Sequence, residues 1–204
     1  MQHVPFTHRN PLKKRRPSMI HRILTTAILF VVLAIVNSAG AAAQDAKAKT
    51  NDSKKAKQAK VIFEKIKSLS GEWECNGTPA LSVRVIAGGS AVVQRDFPGS
   101  PMEMLTVYHL DGDDVMLNHY CVLGNQPRLK ATMGDQKDTI VFNFSSATNL
   151  ASKNDPHMHK GKITFFNKDS IRSTWTKFVD GKLAEEHSFE MTRKKPEHKT
   201  DKAR

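Results

Sequence analysis

From Glu72 to Met191 the chain is a succession of short alternating runs broken by Gly, Asp, Asn and Pro. Nothing else in the sequence restricts its fold as tightly. Alternation with a period of two sends successive side chains to opposite faces, which is the pattern of a half-buried strand. The pattern predicts about ten strands, over 72–76, 80–87, 90–97, 102–110, 114–123, 127–134, 138–144, 157–167, 170–178 and 182–191. Gly88-Gly89, Asp111-Gly112-Asp113-Asp114 and Asp180-Gly181 are hairpin turns, and Asn167-Lys168-Asp169 is a fourth candidate. The longest connection, Ser145 to Pro156, is long enough to cover a cavity mouth. Consecutive strands on tight turns make an up-and-down antiparallel sheet, and closing it into a β-barrel removes its edges. The expected fold is therefore all-β, preceded by one short helix. Val61, Ile62, Ile66 and Leu69 recur at near-helical spacing, and Gly71 ends the run.

The termini are of another kind. Residues 1–22 hold six basic residues and no acidic one, Ile23 to Val36 carry no charge, and Ala41-Ala42-Ala43 follows. This is the order of an export signal, with cleavage expected after Ala43 and a periplasmic or extracellular destination. The alternative is an uncleaved signal anchor. Fourteen apolar residues would span about 21 Å as a helix, short of a hydrocarbon core of roughly 30 Å, so cleavage is favoured and no stable membrane span is expected afterwards. No cysteine stands at the cleavage point to carry a lipid.

The formal charge of +12 suggests nucleic acid until it is divided by region. Residues 61–192 hold 14 basic and 16 acidic residues, a net of −2. The positive charge belongs to residues 1–43, to a basic segment 44–60 expected to be a flexible linker, and to a basic tail 193–204 expected to be disordered. The domain 61–192 has no electrostatic footprint for phosphate, so no nucleic-acid partner is expected.

Apolar neighbours at i±2 suggest the inner rows of the barrel. Leu81, Val83 and Val85 form one; Ala91, Val93 and Phe97 form another and carry Arg95 inward; Ile140, Phe142 and Phe144 form a third. Leu183, Phe189 and Met191 share a face with His187, Ile163 and Phe165 with His157 and His159, and Leu117 and Leu123 with His119 and Cys121. A small barrel with polar groups in an apolar interior is suited to a small apolar or amphipathic ligand held without covalent bonds. The expected ligand-binding set is Arg95, His119, Tyr120, His157, His159 and His187, although alternation sends Tyr120 to the face opposite His119. A filled core with mutually bonded polar groups, serving as an envelope or interaction module, is the competing expectation.

Leu69-Ser70-Gly71-Glu72-Trp73 matches the Gly-x-Trp opening of lipocalin-like barrels, placed after a short helix. Together with Arg84 to Arg128, the stretch FSSATNLASKNDPHMH and a last strand ending EMTR, it resembles a family of exported bacterial lipocalin-like barrels. The resemblance covers roughly Ser68 to Arg193 and implies the fold, but no established activity. Nitrobindin, a ten-stranded haem-binding barrel, is a more distant comparison; its Gly-rich opening is not reproduced here.

Three sharper chemistries have residues that could carry them. His157-Met158-His159 places two imidazoles on one side of a strand, a partial metal site to which His119, His187 or a cysteine would have to be added, and the basis for a metal- or haem-binding alternative. Cys75 and Cys121 are the only cysteines, and a disulfide and two free thiols both remain open. A Cys-His nucleophilic pair at His119 and Cys121 lacks the exposed turn and third group that such a pair uses. No Gly-x-Ser-x-Gly, P-loop, dinucleotide fingerprint or His-Glu-x-x-His is present, so an enzyme is not the favoured reading. Arg128 falls opposite Leu129 and Ala131, on the outer face or rim.

Overall fold

The computed structural model describes Thr50 and residues 52–136 and 138–195. The chain divides into two units, Met1–Thr50 and Asn51–Arg204. Of the first only Thr50 is described, so the expected export signal and cleavage point lie outside the described residues, as do 44–49 of the expected linker and 196–204 of the expected tail.

The second unit is a helix, α1 (52–67), followed by ten antiparallel strands in a closed barrel. The strands are β1 (Gly71–Cys75), β2 (Thr78–Ile86), β3 (Ala91–Asp96), β4 (Met104–Asp111), β5 (Asp114–Tyr120), β6 (Gln126–Met133), β7 (Thr139–Thr148), β8 (His157–Asn167), β9 (Ser170–Val179) and β10 (Lys182–Arg193). Each strand pairs with its sequence neighbours, and β1 pairs with β10 to close the ring. The all-β, up-and-down barrel behind one short helix thus agrees with the pattern of the sequence. Strand β7 runs on to Thr148, which shortens the long connection, and β5 stops at Tyr120.

Residues 52–60 are not a linker but the first half of α1. The helix gains that length because Ala59, Ile62, Phe63 and Ile66, at i, i+3, i+4 and i+7, form one buried stripe. Val61, expected on that stripe, lies on the exposed side. Two ion pairs hold the helix to barrel turns: Lys55 Nζ to Asp114 at 3.1 Å and Lys65 Nζ to Asp138 at 2.6 Å. The stripe joins Trp73, Val115, Leu117, Ile140, Phe142 and Ile163 in one apolar core, and this end of the barrel is filled.

Arg193, expected to begin a disordered tail, is instead the last residue of β10 and part of the barrel seam. Its guanidinium lies 4.2 Å over the Trp73 ring. It donates to the carbonyl oxygens of Ser68, Ser70 and Lys168 and pairs with Asp169 at 3.1 Å. Trp73 Nε1 donates to Leu69 O at 2.7 Å. Gly71 sits at φ +129°, a conformation that side chains rarely adopt, and a Cβ there would stand 2.8 Å from Arg193 Nη1 and displace the guanidinium. One contact set therefore accounts for both the glycine and the tryptophan of the Gly-x-Trp stretch, and it joins the start of the barrel to its end.

Candidate functional site

Antiparallel alternation puts the β3–β4, β5–β6, β7–β8 and β9–β10 connections at the end of the barrel away from α1. A cavity of about 280 Å³ lies there. Its wall is mostly apolar: Leu81, Phe97, Trp175 and Phe189, with four methionines, Met102, Met104, Met158 and Met191. Met102 and Val122 are 54% and 47% exposed and mark the mouth, together with Glu185 and His187. Asp96, His119, Cys121 and Ser173 line the cavity and are buried.

The polar groups at depth form one chain of hydrogen bonds. Tyr108 Oη donates to Gln94 Oε1 at 3.0 Å, and Gln94 Nε2 donates to Asp96 Oδ1 at 2.7 Å. Thr106 Oγ1 lies 3.3 Å from Asp96 Oδ2 and 2.9 Å from His119 Nδ1. The ring of His119 stacks on Trp175 with centroids 5.0 Å apart. Strand register explains the assembly: Gln94 pairs with Thr106, and Thr106 with His119, as one row across β3, β4 and β5. Asp96 joins the row because its side chain points to the same face as that of Gln94, two residues away. Gly161 lies behind the row on β8, where a Cβ would come within 3.3 Å of Trp175 and 3.4 Å of Phe142. A larger residue there would press on the ring that supports His119.

Burial dictates the charge of these groups. Desolvation raises the Asp96 carboxyl to about 7, against the pull of its bonds from Gln94 and Thr106. Desolvation lowers His119 to about 4, so the imidazole is neutral at ordinary pH. Burial pushes the Tyr108 phenol well above its usual value, which keeps it a donor. It also raises the Cys121 thiol. Cys121 is thus a weak nucleophile, and His119 turns its Nδ1 to Thr106 rather than to the thiol.

Several expected site residues lie elsewhere. Arg95 does not face the interior: it is exposed, with its guanidinium forked onto Glu103 at 2.7 and 2.8 Å. The inner row of β3 is Val92, Gln94 and Asp96. Phe97 still reaches the cavity because its φ of +52° breaks the alternation. Val85 is likewise exposed, near the end of β2. Tyr120 is 48% exposed at the end of β5, on the face opposite His119. His119 and Cys121 do face the cavity, as alternation predicts. His187 is at the rim, exposed, 3.4 Å from Glu185. Leu183 does not share its face; a register shift between Leu183 and Glu186 separates them.

His157 and His159 are not among the residues lining the cavity. A register shift between Met158 and Lys160 reverses the alternation and turns Met158 inward instead. The two rings bond to each other, His157 Nε2 to His159 Nδ1 at 2.9 Å, and His157 Nδ1 lies 2.7 Å from Asp155 O. His159 is stacked between Phe144 and Phe178, with centroids 4.7 and 4.8 Å away. Desolvation, and then the neighbouring His157, lower its pKa. His119 and His187 are not brought to this pair. Among the described residues no group of three or more His, Cys, Asp or Glu could hold a metal ion.

Cys75 and Cys121 are both free thiols. Strand β1, which carries Cys75, has β2 and β10 as neighbours, while β5, which Cys121 directly follows, has β4 and β6, so the two strands do not touch in the sheet. Arg128 is on the outer side, 3.2 Å from Asn118 Oδ1. Comparison with known proteins finds no family profile and no curated protein that matches this chain.

Proposed function

We propose that this chain is an exported, lipocalin-like barrel that binds a small apolar or amphipathic molecule non-covalently in the cavity opposite α1. The observation that carries the reading is the contrast within that cavity: apolar walls and a methionine-rich mouth above a buried hydrogen-bonding floor. Ligand sites are mostly apolar with a few convergent polar groups, and flexible thioethers adapt to ligands of differing shape. At about 280 Å³ the space lies at the lower edge of the usual range, which favours a small molecule. The contact between Trp73 and Arg193 supports the lipocalin-like reading, because it joins the Gly-x-Trp and EMTR stretches on which the resemblance rests. The charge layout of residues 1–43 supports export.

The test has two arms. Native mass spectrometry of the full chain, purified from the envelope of its own host, is expected to show a retained small molecule. A neutral fluorescent probe, N-phenyl-1-naphthylamine, is expected to brighten on binding, and Leu81→Trp, which fills the cavity, to abolish the signal while the far-ultraviolet spectrum stays unchanged. Equal probe binding by the filled variant would exclude the cavity as the site.

A further inference from the structure

Thr106 has one hydroxyl proton and two neighbours that want it. Asp96 Oδ2 is at 3.3 Å and His119 Nδ1 at 2.9 Å. When Asp96 is ionised it can only accept, so the Thr106 proton goes to it. The threonine oxygen then accepts from His119, which must carry its proton on Nδ1. When Asp96 is protonated on Oδ2 it donates to Thr106, and the threonine proton turns to His119 Nδ1. The imidazole then carries its proton on Nε2. Among the described residues Nε2 has no hydrogen-bond partner, and the ring lines the cavity, so Nε2 is the edge offered to a ligand.

We propose that His119 Nε2 is the polar anchor of the cavity, and that the proton on Asp96 decides, through Thr106, whether this anchor accepts or donates a hydrogen bond. The site then takes apolar molecules bearing a carbonyl when Asp96 is protonated, and molecules offering an N–H or O–H when it is ionised. This rests on the ligand-binding reading above. The proton count balances: one proton enters at Nε2, the Nδ1 proton passes to Thr106, and the threonine proton passes to Asp96. The imidazole changes tautomer and not charge.

The surroundings favour such a relay. From β3 and β4, Asp96 meets Gln94, Thr106 and, through Gln94, the Tyr108 phenol, none of them a cation. The β2 residue paired with it is Leu81. From β5 and the residue that follows it, His119 and Cys121 share the cavity with it; from β9 and β10 the cavity receives Lys177, Glu185 and His187. Among the described residues no arginine or lysine is bonded to Asp96 to hold it ionised. The carboxyl titrates near 7 while His119 stays neutral down to about 4, so the two protonation events are well separated.

The experiment uses the full chain labelled with nitrogen-15, and reads the His119 ring nitrogens between pH 5 and pH 9, with His119→Gln giving the assignment. A swap is expected, Nε2 protonated at pH 5 and Nδ1 protonated at pH 9, never both together. Asp96→Asn, whose amide donates permanently to Thr106, is expected to hold Nε2–H at every pH. Thr106→Val is expected to cut the tautomer loose from pH. Acetophenone, an acceptor only, and indole, a donor only, are matched in size and do not titrate in this range. Their affinity ratio is expected to change about tenfold across the swap in the wild type and to stay constant in Asp96→Asn. A single tautomer from pH 5 to pH 9, or a swap that survives Asp96→Asn, overturns the relay. A swap with an unchanged affinity ratio overturns the ligand selection while leaving the binding site in place. A swap in a protein that binds neither probe overturns the ligand-binding reading instead.

Discussion

The two ends of this barrel solve the same problem in opposite ways. At the α1 end, aliphatic side chains, Trp73, Phe63 and Phe142 fill the interior, and Arg193 bonds backbone carbonyls across the seam. At the other end the interior is left open, and Gln94, Asp96, Thr106 and His119 bond to one another instead of to a covering element. The first end is built for stability and the second holds groups that stability alone would not choose. A buried carboxyl with no cation bonded to it costs free energy whenever it ionises. Its place beside an unfilled space is the reason the proposed function is assigned to the open end.

Three variants sharpen that contrast. The largest effect is expected from Trp73→Ala, which removes a side chain buried to 1% at the filled end. Urea unfolding should show a loss of about 3–5 kcal/mol. A loss below about 1 kcal/mol would mean that the filled end is not where stability resides.

Asp96→Asn should act in the other direction. The native carboxyl holds its proton more tightly than the unfolded chain does, so protonation contributes stability at acid pH that is lost as the pH rises from 3.8 towards about 7. The variant should therefore be more stable than the wild type above pH 7, by roughly 2–4 kcal/mol, with little difference below pH 4. His119 has the opposite sign, since its depressed pKa of about 4 makes stability grow from pH 4 up to about 6.5. The two slopes oppose each other in the wild type. Removing Asp96 should expose a stability that climbs across this interval, measurable by denaturant melts at half-unit steps of pH.

The smallest effect belongs to Arg95→Gln. The guanidinium is solvated and paired with Glu103 on the outside. Neither the unfolding midpoint nor the affinity for N-phenyl-1-naphthylamine should change measurably. A lost affinity would return Arg95 to the site from which the structure removes it.

The architecture was legible because alternation and turn chemistry are local. Asp111 to Asp114 even fixes the register of β4 and β5, since the turn pairs Asp111 with Asp114 and so brings Thr106 opposite His119. The site was less legible for three physical reasons. In β3 the polar residues Gln94 and Asp96 occupy the inner row, and a search for apolar neighbours selects the wrong face and carries Arg95 inward. In β8 the irregularity after Met158 exchanges the faces of His157 and Met158 relative to Ile163, and nothing in the residue types announces it. Phe97, expected inside, does line the cavity, but as a member of the row that in fact faces outward; only its positive φ brings it in, which composition does not reveal in a phenylalanine. His119 and Cys121 were placed correctly because β5 runs without interruption from Val115 to His119. The helix was underestimated because Ala59 is too small to register as part of an apolar stripe.

The methionines give the most direct test of the central claim. Met102, Met104, Met158 and Met191 line the cavity, while Met116 and Met133 are absent from its wall. With methyl carbon-13 methionine in the full chain, titration with N-phenyl-1-naphthylamine should move the four cavity methyl resonances saturably and leave those of Met116 and Met133 in place. Shifts at Met116 and Met133 with none at the cavity four, or no saturable shift at any of the six, would contradict a ligand site at the open end of the barrel.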